Sequence, residues 1–268
     1  MTGSAAGPAH RVSERRIRFV DAPSPSDEVV ASFLHPYDRH AVVGGTGDAQ
    51  PGDAQPGDAL DVVVVPPTDT GNIAASMGPA AATAYVKYRG VELLWRPGRA
   101  VLQCEPAQTD TLIQALAEFA HYEGELRTIE AEVAAAWGDV DRDKALAFDV
   151  TPTDLRRTDD IGTRMAATFS RRIRLARMEA HLFAPHAGMA AAGQKLGEAL
   201  REQAHIEARA EVLDGQIEVF EHIYEMASQR MGEFRAARQG HMMEWVIIVL
   251  LAAESIFMAL QAVMRGRG

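Results

Sequence analysis

Two Glu-x-x-His pairs, Glu118/His121 and Glu202/His205, are the residue combinations most able to do chemistry in this chain. On a helix that spacing puts a carboxylate and an imidazole on one face, the arrangement from which di-iron bundles are built. With nine histidines and frequent glutamate, such pairs also arise by chance, and both are expected on solvated helix faces. The stretch Ala41 to Gly47 opens like a dinucleotide loop, but that fingerprint needs a further glycine and then a helix. A repeated Asp-Ala-Gln-Pro-Gly follows instead, so no nucleotide site is expected. Cys104 lies in a strand candidate and reads as core rather than nucleophile. His181 and His186 lack the glutamate and spacing of a zincin helix. No nucleophile stands beside a base, so no catalytic residue, no metal and no cofactor is expected.

Two other groups remain. Arg171, Arg172, Arg174 and Arg177, with Arg156, Arg157 and Arg164 nearby, form one basic cluster in an acidic chain. It reads as a solvated helix face paired with acidic neighbours, or as a contact for anionic lipid headgroups or RNA. Glu244 and Glu254 bracket a hydrophobic run that begins at Trp245. A carboxylate inside such a run is costly to bury and has to find a partner or a proton.

The composition sets the frame for these groups. The 268 residues carry a net charge of -10, from 27 Lys+Arg and 37 Asp+Glu, which argues against broad nucleic-acid binding. One cysteine excludes a disulfide framework within the chain and a cysteine zinc cluster. Few aromatics and much alanine lean helical. Residues 1–10 have no apolar h-region, so no secretory signal is expected and the bulk of the chain is placed in the cytosol.

The expected fold class is α+β: a small antiparallel sheet with helices, then a long helical hairpin or coiled coil, then a C-terminal transmembrane helix. Residues 1–27 read as a flexible tail with an edge strand at Arg16–Val20. Residues 28–160 read as the α+β domain. Within it, Asp27–Leu34 is expected as a short helix, 44–59 as a disordered low-complexity loop, and Leu60–Val65 as a buried strand ended by Pro66-Pro67. Strands at Ala84–Tyr88, Val91–Trp95 and Ala100–Cys104, separated by Arg89-Gly90 and Arg96–Arg99, predict an antiparallel meander. Thr109 or Asp110 caps a helix, and Glu123–Trp137 either continues it or begins another. Phe148–Val150 is a weak strand and Thr153–Asp160 a polar loop.

Residues 161–240 read as a helical hairpin broken at Pro185. In its second arm Ile206, Leu213, Phe220, Ala227 and Phe234 alternate with Ala210, Ile217, Tyr224 and Met231 at steps of three and four. That is a coiled-coil seam. It fits packing against the 161–183 helix in the same chain, which is the expected arrangement, or pairing between chains.

Residues 241–264 read as the anchor. Trp245 to Met264 would span about 30 Å as a helix, enough to cross a hydrocarbon core. Trp245 sits where an interfacial aromatic belongs, and Arg235, Arg238 and His241 precede it on the side expected to stay cytoplasmic. Glu254 costs roughly 2.5–3.5 kcal/mol there, and about ten Leu, Ile, Val and Phe residues at roughly −0.3 to −0.6 kcal/mol each offset it.

Several segments together resemble the "required for meiotic nuclear division" family. Its members carry an Arg-x-x-x-Leu-Asn pattern and then a Leu-Glu-Trp-Ile-Ile-Ile start to a terminal helix with a second Glu. Here Arg209, Leu213, Glu244, Trp245 and Glu254 match, and Asp214 stands where Asn is usual. Tyr88 to Trp95, with Gly90, looks like the family's Tyr-x-Gly-Val-x-x-x-Trp strand pair. Ala166, Ser170, Leu175 and Glu179 are of the same types in the same order as its Ala-x-x-Ser-x-x-Leu-x-x-x-Glu helix, and Leu175 and Glu179 keep its spacing. The Asp-Thr-Pro and aromatic segment usual before the heptad helix is absent, and residues 184–205 are short and alanine-rich instead. The resemblance spans roughly residues 80–264. It implies an α+β domain, a helical hairpin, a membrane anchor and no enzyme activity. Eukaryotic members are organelle-linked, and one in the mitochondrial inner membrane supports mitochondrial translation.

The expectation is therefore a membrane-anchored, self-associating scaffold or assembly protein without catalytic activity. Its partners are a lipid bilayer, further copies of itself and an unknown protein client. The inner cell membrane is the expected location, with the bulk in the cytoplasm. The alternatives are a di-metal carboxylate bundle enzyme, or a soluble coiled-coil adaptor whose last helix is buried.

Overall fold

The computed structural model describes residues 12–33, 39–44, 59–67, 73–78 and 82–265, with side chains in the last helix as far as Met258. Residues 1–11 of the expected tail and 45–58 of the expected loop lie outside the described residues. The architecture is α+β, with a seven-stranded mixed sheet and a long C-terminal apolar helix.

The strands are β1 (Ser13–Val20), β2 (Glu28–Phe33), β3 (Arg39–Gly44), β4 (Ala59–Val65), β5 (Ala84–Tyr88), β6 (Val91–Arg96) and β7 (Arg99–Gln103). They lie in the order β2-β3-β1-β4-β7-β6-β5. Every neighbouring pair is antiparallel except β4 with β7. The expected meander is β5 to β7. Its first turn works because Gly90 takes φ 83°, a conformation open to glycine without steric cost.

Three local expectations are corrected. Asp27–Leu34 is not a helix: Glu28–Phe33 is strand, paired along β3. Its two valines and alternating Val29, Ala31 and Phe33 suit a pleated surface better than a short helix. The edge strand at Arg16–Val20 is longer and interior, because β1 is held between β3 and β4. Phe148–Val150 is not a strand, and Thr153–Asp160 is not a loop throughout. Short 3-10 turns cover Lys144–Ala147 and Asp154–Arg157, and helix resumes at Thr158.

The helices are α1 (Ile73–Met77), α2 (Thr109–Asp143), α3 (Thr158–Phe183), α4 (Ala191–Gln203) and α5 (Ile206–Arg265). Helix α2 runs unbroken for 35 residues, so Glu123–Trp137 continues it. Helix α3 stops before Pro185, as the missing N–H predicts. Between the expected hairpin arms lies α4, set off from α5 at His205, which adopts φ 51°.

By contacts the chain forms two units, Met1–Ala134 with Arg171–Gly215, and Ala135–Ser170 with Gln216–Gly268. Helices α2, α3 and α5 each contribute to both units. In the first unit the sheet is covered on both faces. Val63, Val65 and Val101 pack on Met77 of α1. Trp95, next to Leu94 and so on the opposite face, meets Phe119 of α2 with ring centroids 4.9 Å apart.

Candidate functional site

The far half of α5 is unlike the rest of the molecule. From Arg235 to Met258 every residue is exposed. Trp245 is 67% exposed and Leu250 64%, where a soluble surface would carry polar groups. No proline interrupts this stretch, and its aliphatic residues keep the helix continuous with the seam before it. Among the described residues it is the one helix long and apolar enough to cross a membrane. None of its apolar window is buried within the chain.

Its polar groups are few. Glu244 lies 3.2 Å from His241 Nδ1. The Ser255 hydroxyl donates to the Leu251 carbonyl at 2.8 Å, which satisfies it inside the helix. Glu254 is exposed, and none of the described residues forms an ion pair with it. At 100° per residue Glu244 and Glu254 are about 80° apart around the helix, on one edge.

The heptad seam is covered by the chain itself. Ile206, Ala210 and Leu213 are buried in the first unit, and Ile217, Phe220, Tyr224, Ala227 and Met231 in the second. Phe234 is half-buried, where the cover ends. Phe220 meets Trp137 of α2 edge-on with centroids 4.7 Å apart. The open choice between packing in the chain and pairing between chains thus falls, for these residues, to packing in the chain.

The residues that carry the resemblance fall in three places. Arg209 is half-buried between Glu130, at 2.7 and 2.8 Å, and Glu123 at 3.1 Å. The Glu130 hydrogen bond raises its pKa, against burial, which lowers it. It pins the start of α5 to α2. Asp214 pairs with Arg172, and Glu179 is exposed beside them on the rim of a groove between α3 and α5. Gly90 makes the hairpin turn already described.

In the arginine cluster, Arg171 and Arg174 reach Glu132 at 3.2 and 2.6 Å, and Arg172 reaches Asp214. Arg157 and Arg164 both hold Asp143, a carboxylate with no exposure. Arg177 is exposed. Most of the positive charge is thus matched between helices, and Arg177 is the member of the four with no ion pair among the described residues.

One expectation about chemistry is corrected. Glu202 and His205 are solvated, but Glu118 and His121 are buried at 6% and 3% exposure, because that face of α2 lies inward. Glu118 accepts from Arg201 Nη2 at 2.9 Å and from the His186 backbone at 3.1 Å. Arg201, its pKa pulled down by burial and pushed back up by Glu118, also donates to Leu182, Gly197 and His181 carbonyls. His121 stacks on Phe33 at 4.3 Å. Burial, then Arg39, then His181 lower its pKa to about 4. Among the described residues no three His, Cys, Asp or Glu could hold a metal together. Sequence reasoning missed Arg201 as the partner of Glu118. Its one available signal was an arginine among the alanine and leucine of a short amphipathic helix.

The chain thus combines an α+β unit, a helical unit and an exposed apolar helix. In comparisons with known proteins, no family model matches it and no curated protein matches it.

Proposed function

We propose that the chain is a membrane-anchored, self-associating scaffold or assembly protein without catalytic activity. The observation that carries this reading is the exposed apolar stretch from Met242 to Met258 at the end of a helix whose earlier turns are buried. A surface of that kind in water drives aggregation, whereas a bilayer covers it on all sides. Arg235, Arg238 and His241 precede it, and positive charge on that side keeps the folded units in the cytoplasm, with a single span in the inner cell membrane. The likeness of Arg209, Leu213, Glu244, Trp245 and Glu254 to the "required for meiotic nuclear division" pattern supports the same reading.

Self-association rests on the span rather than on the heptad seam, which the chain already covers. Glu254 in hydrocarbon is favourable only when protonated or facing protein, and further copies of the same helix supply a protein face. Extraction of membranes with alkaline carbonate tests the anchor. The full chain is expected in the pellet, and its release into the supernatant rules the anchor out.

A further inference from the structure

A groove of about 570 Å³ runs between α3 and α5, inside the first unit. Its floor is apolar. Leu175, Leu182 and Ala210 are buried there, and Phe183, at the end of α3, lines it while 46% exposed. Ala176 also lines it, and Ile173, three residues earlier on the same face of α3, is 51% exposed. The alanines are small, so another backbone can come close. From Arg172 to Phe183 the α3 wall is about 16 Å long, three helical turns.

The rim is acidic. Glu179 stands on α3, and Glu207, Glu211 and Asp214 follow one another on α5 at steps of four and three, along one face. The cation on the lining is Arg172, and Asp214 takes it. Glu179, Glu207 and Glu211 are exposed and form no ion pair among the described residues. Glu207 and Glu211 repel each other at their spacing of four, and a cation lying across them reverses that cost. An apolar trough between helices is a form in which proteins take up an amphipathic helix, and its flanking charge selects the opposite charge on the guest.

We propose that this groove binds an amphipathic helix of a partner protein, apolar on one face with lysine or arginine beside it. Charge complementarity selects that occupant: the unmatched carboxylates attract a basic flank and repel nucleic acid or an anionic lipid surface. The floor favours leucine-like side chains at i, i+3 or i+4, and i+7 over a helix that is merely charged. The proposal does not rest on the membrane anchor, so either can fail without the other.

The test uses the full chain in discs of uncharged phosphatidylcholine, with empty discs as the blank. The probe is a fluorescent helical peptide of leucine, alanine and lysine, with leucine on one face and lysine flanking it. Its twin carries glutamate for every lysine. The basic peptide is expected to bind saturably, by anisotropy, above the blank. Glu179→Lys, Glu207→Lys and Glu211→Lys together should weaken it about tenfold or more and give the acidic twin the tighter binding. Ala176→Glu, at an exposed position, adds negative charge but puts bulk and charge on the floor, so it should weaken the basic peptide. Binding no greater than to empty discs, or unchanged by the charge reversal, would overturn the proposal. So would tighter binding to Ala176→Glu, which would mean attraction to surface charge alone. A fall in the mass of the full chain on charge reversal would also overturn it, by assigning the groove to a second copy.

Discussion

At Arg201 a guanidinium has left water and found four acceptors: the Leu182, Gly197 and His181 carbonyls and the Glu118 carboxylate. Removing one member of a buried pair leaves the other charged and alone. Arg201→Ala is therefore expected to destabilise the fold by about 3–5 kcal/mol in chemical denaturation. Glu118→Leu with Arg201→Met should cost well below the sum of the two single changes, and strict additivity would show that the pair is not coupled. His121 carries a pH dependence whose sign is fixed by its environment. Its pKa falls from 6.5 to about 4 on folding, so the unfolded chain binds the proton more readily between those values. The stabilisation from the neutral ring is complete above pH 6.5, fades as pH falls, and is lost by about pH 4. The loss amounts to about 3 kcal/mol at most. His121→Phe should flatten that part of the stability profile, and an unchanged slope would assign it to other groups. Neither residue was legible in its role. A Glu-x-x-His spacing reads the same on a wet face as on a dry one, and only the placement of α2 on the sheet makes this face dry.

Helix α5 was legible in both its halves. The steps of three and four from Ile206 to Met231 mark a buried stripe, and every one of those positions is buried. What lies against the stripe was not legible, because a heptad reads the same whether its cover comes from the same chain or another. Here α2 supplies it, with Trp137 against Phe220. Phe220→Ala is thus expected to cost about 3–5 kcal/mol, by an amount that does not vary with protein concentration. A concentration-dependent loss would place the seam between chains. In the outer half, Glu254→Leu removes the costliest group from the proposed span. It should tighten membrane association while weakening self-association in detergent. If assembly and function both survive it, the carboxylate is incidental. The break between α4 and α5 left no mark in the sequence, since His205 at φ 51° is neither glycine nor proline. The strand Glu28–Phe33 was missed for the opposite reason. A preceding serine and aspartate imitate a helix cap, and pairing with β3 overrides them.

For the whole molecule the question is how the proposed anchor and the folded units divide the work. A chain ended at Gly240 keeps the seam and the sheet and loses the exposed apolar stretch. It is expected to be a soluble monomer, while the full chain in detergent has a mass of several copies. Equal monomer masses for both would remove self-association from the proposed function and leave the anchor standing.

The sequence by itself determined the features that depend on local pattern: the strands from Leu60 to Gln103, the stop before Pro185, the buried stripe and the apolar length of the last helix. Tertiary structure alone decided which faces are dry. It placed β1 inside the sheet, slipped β4 and β7 into parallel neighbours, turned Glu118 and His121 inward, and matched most of the arginine cluster with acids on other helices. The reason is the range of the interactions. Periodicity and capping act over a few residues and are written along the chain. Burial, ion pairing and sheet order join residues tens of positions apart, and are set only when the elements meet.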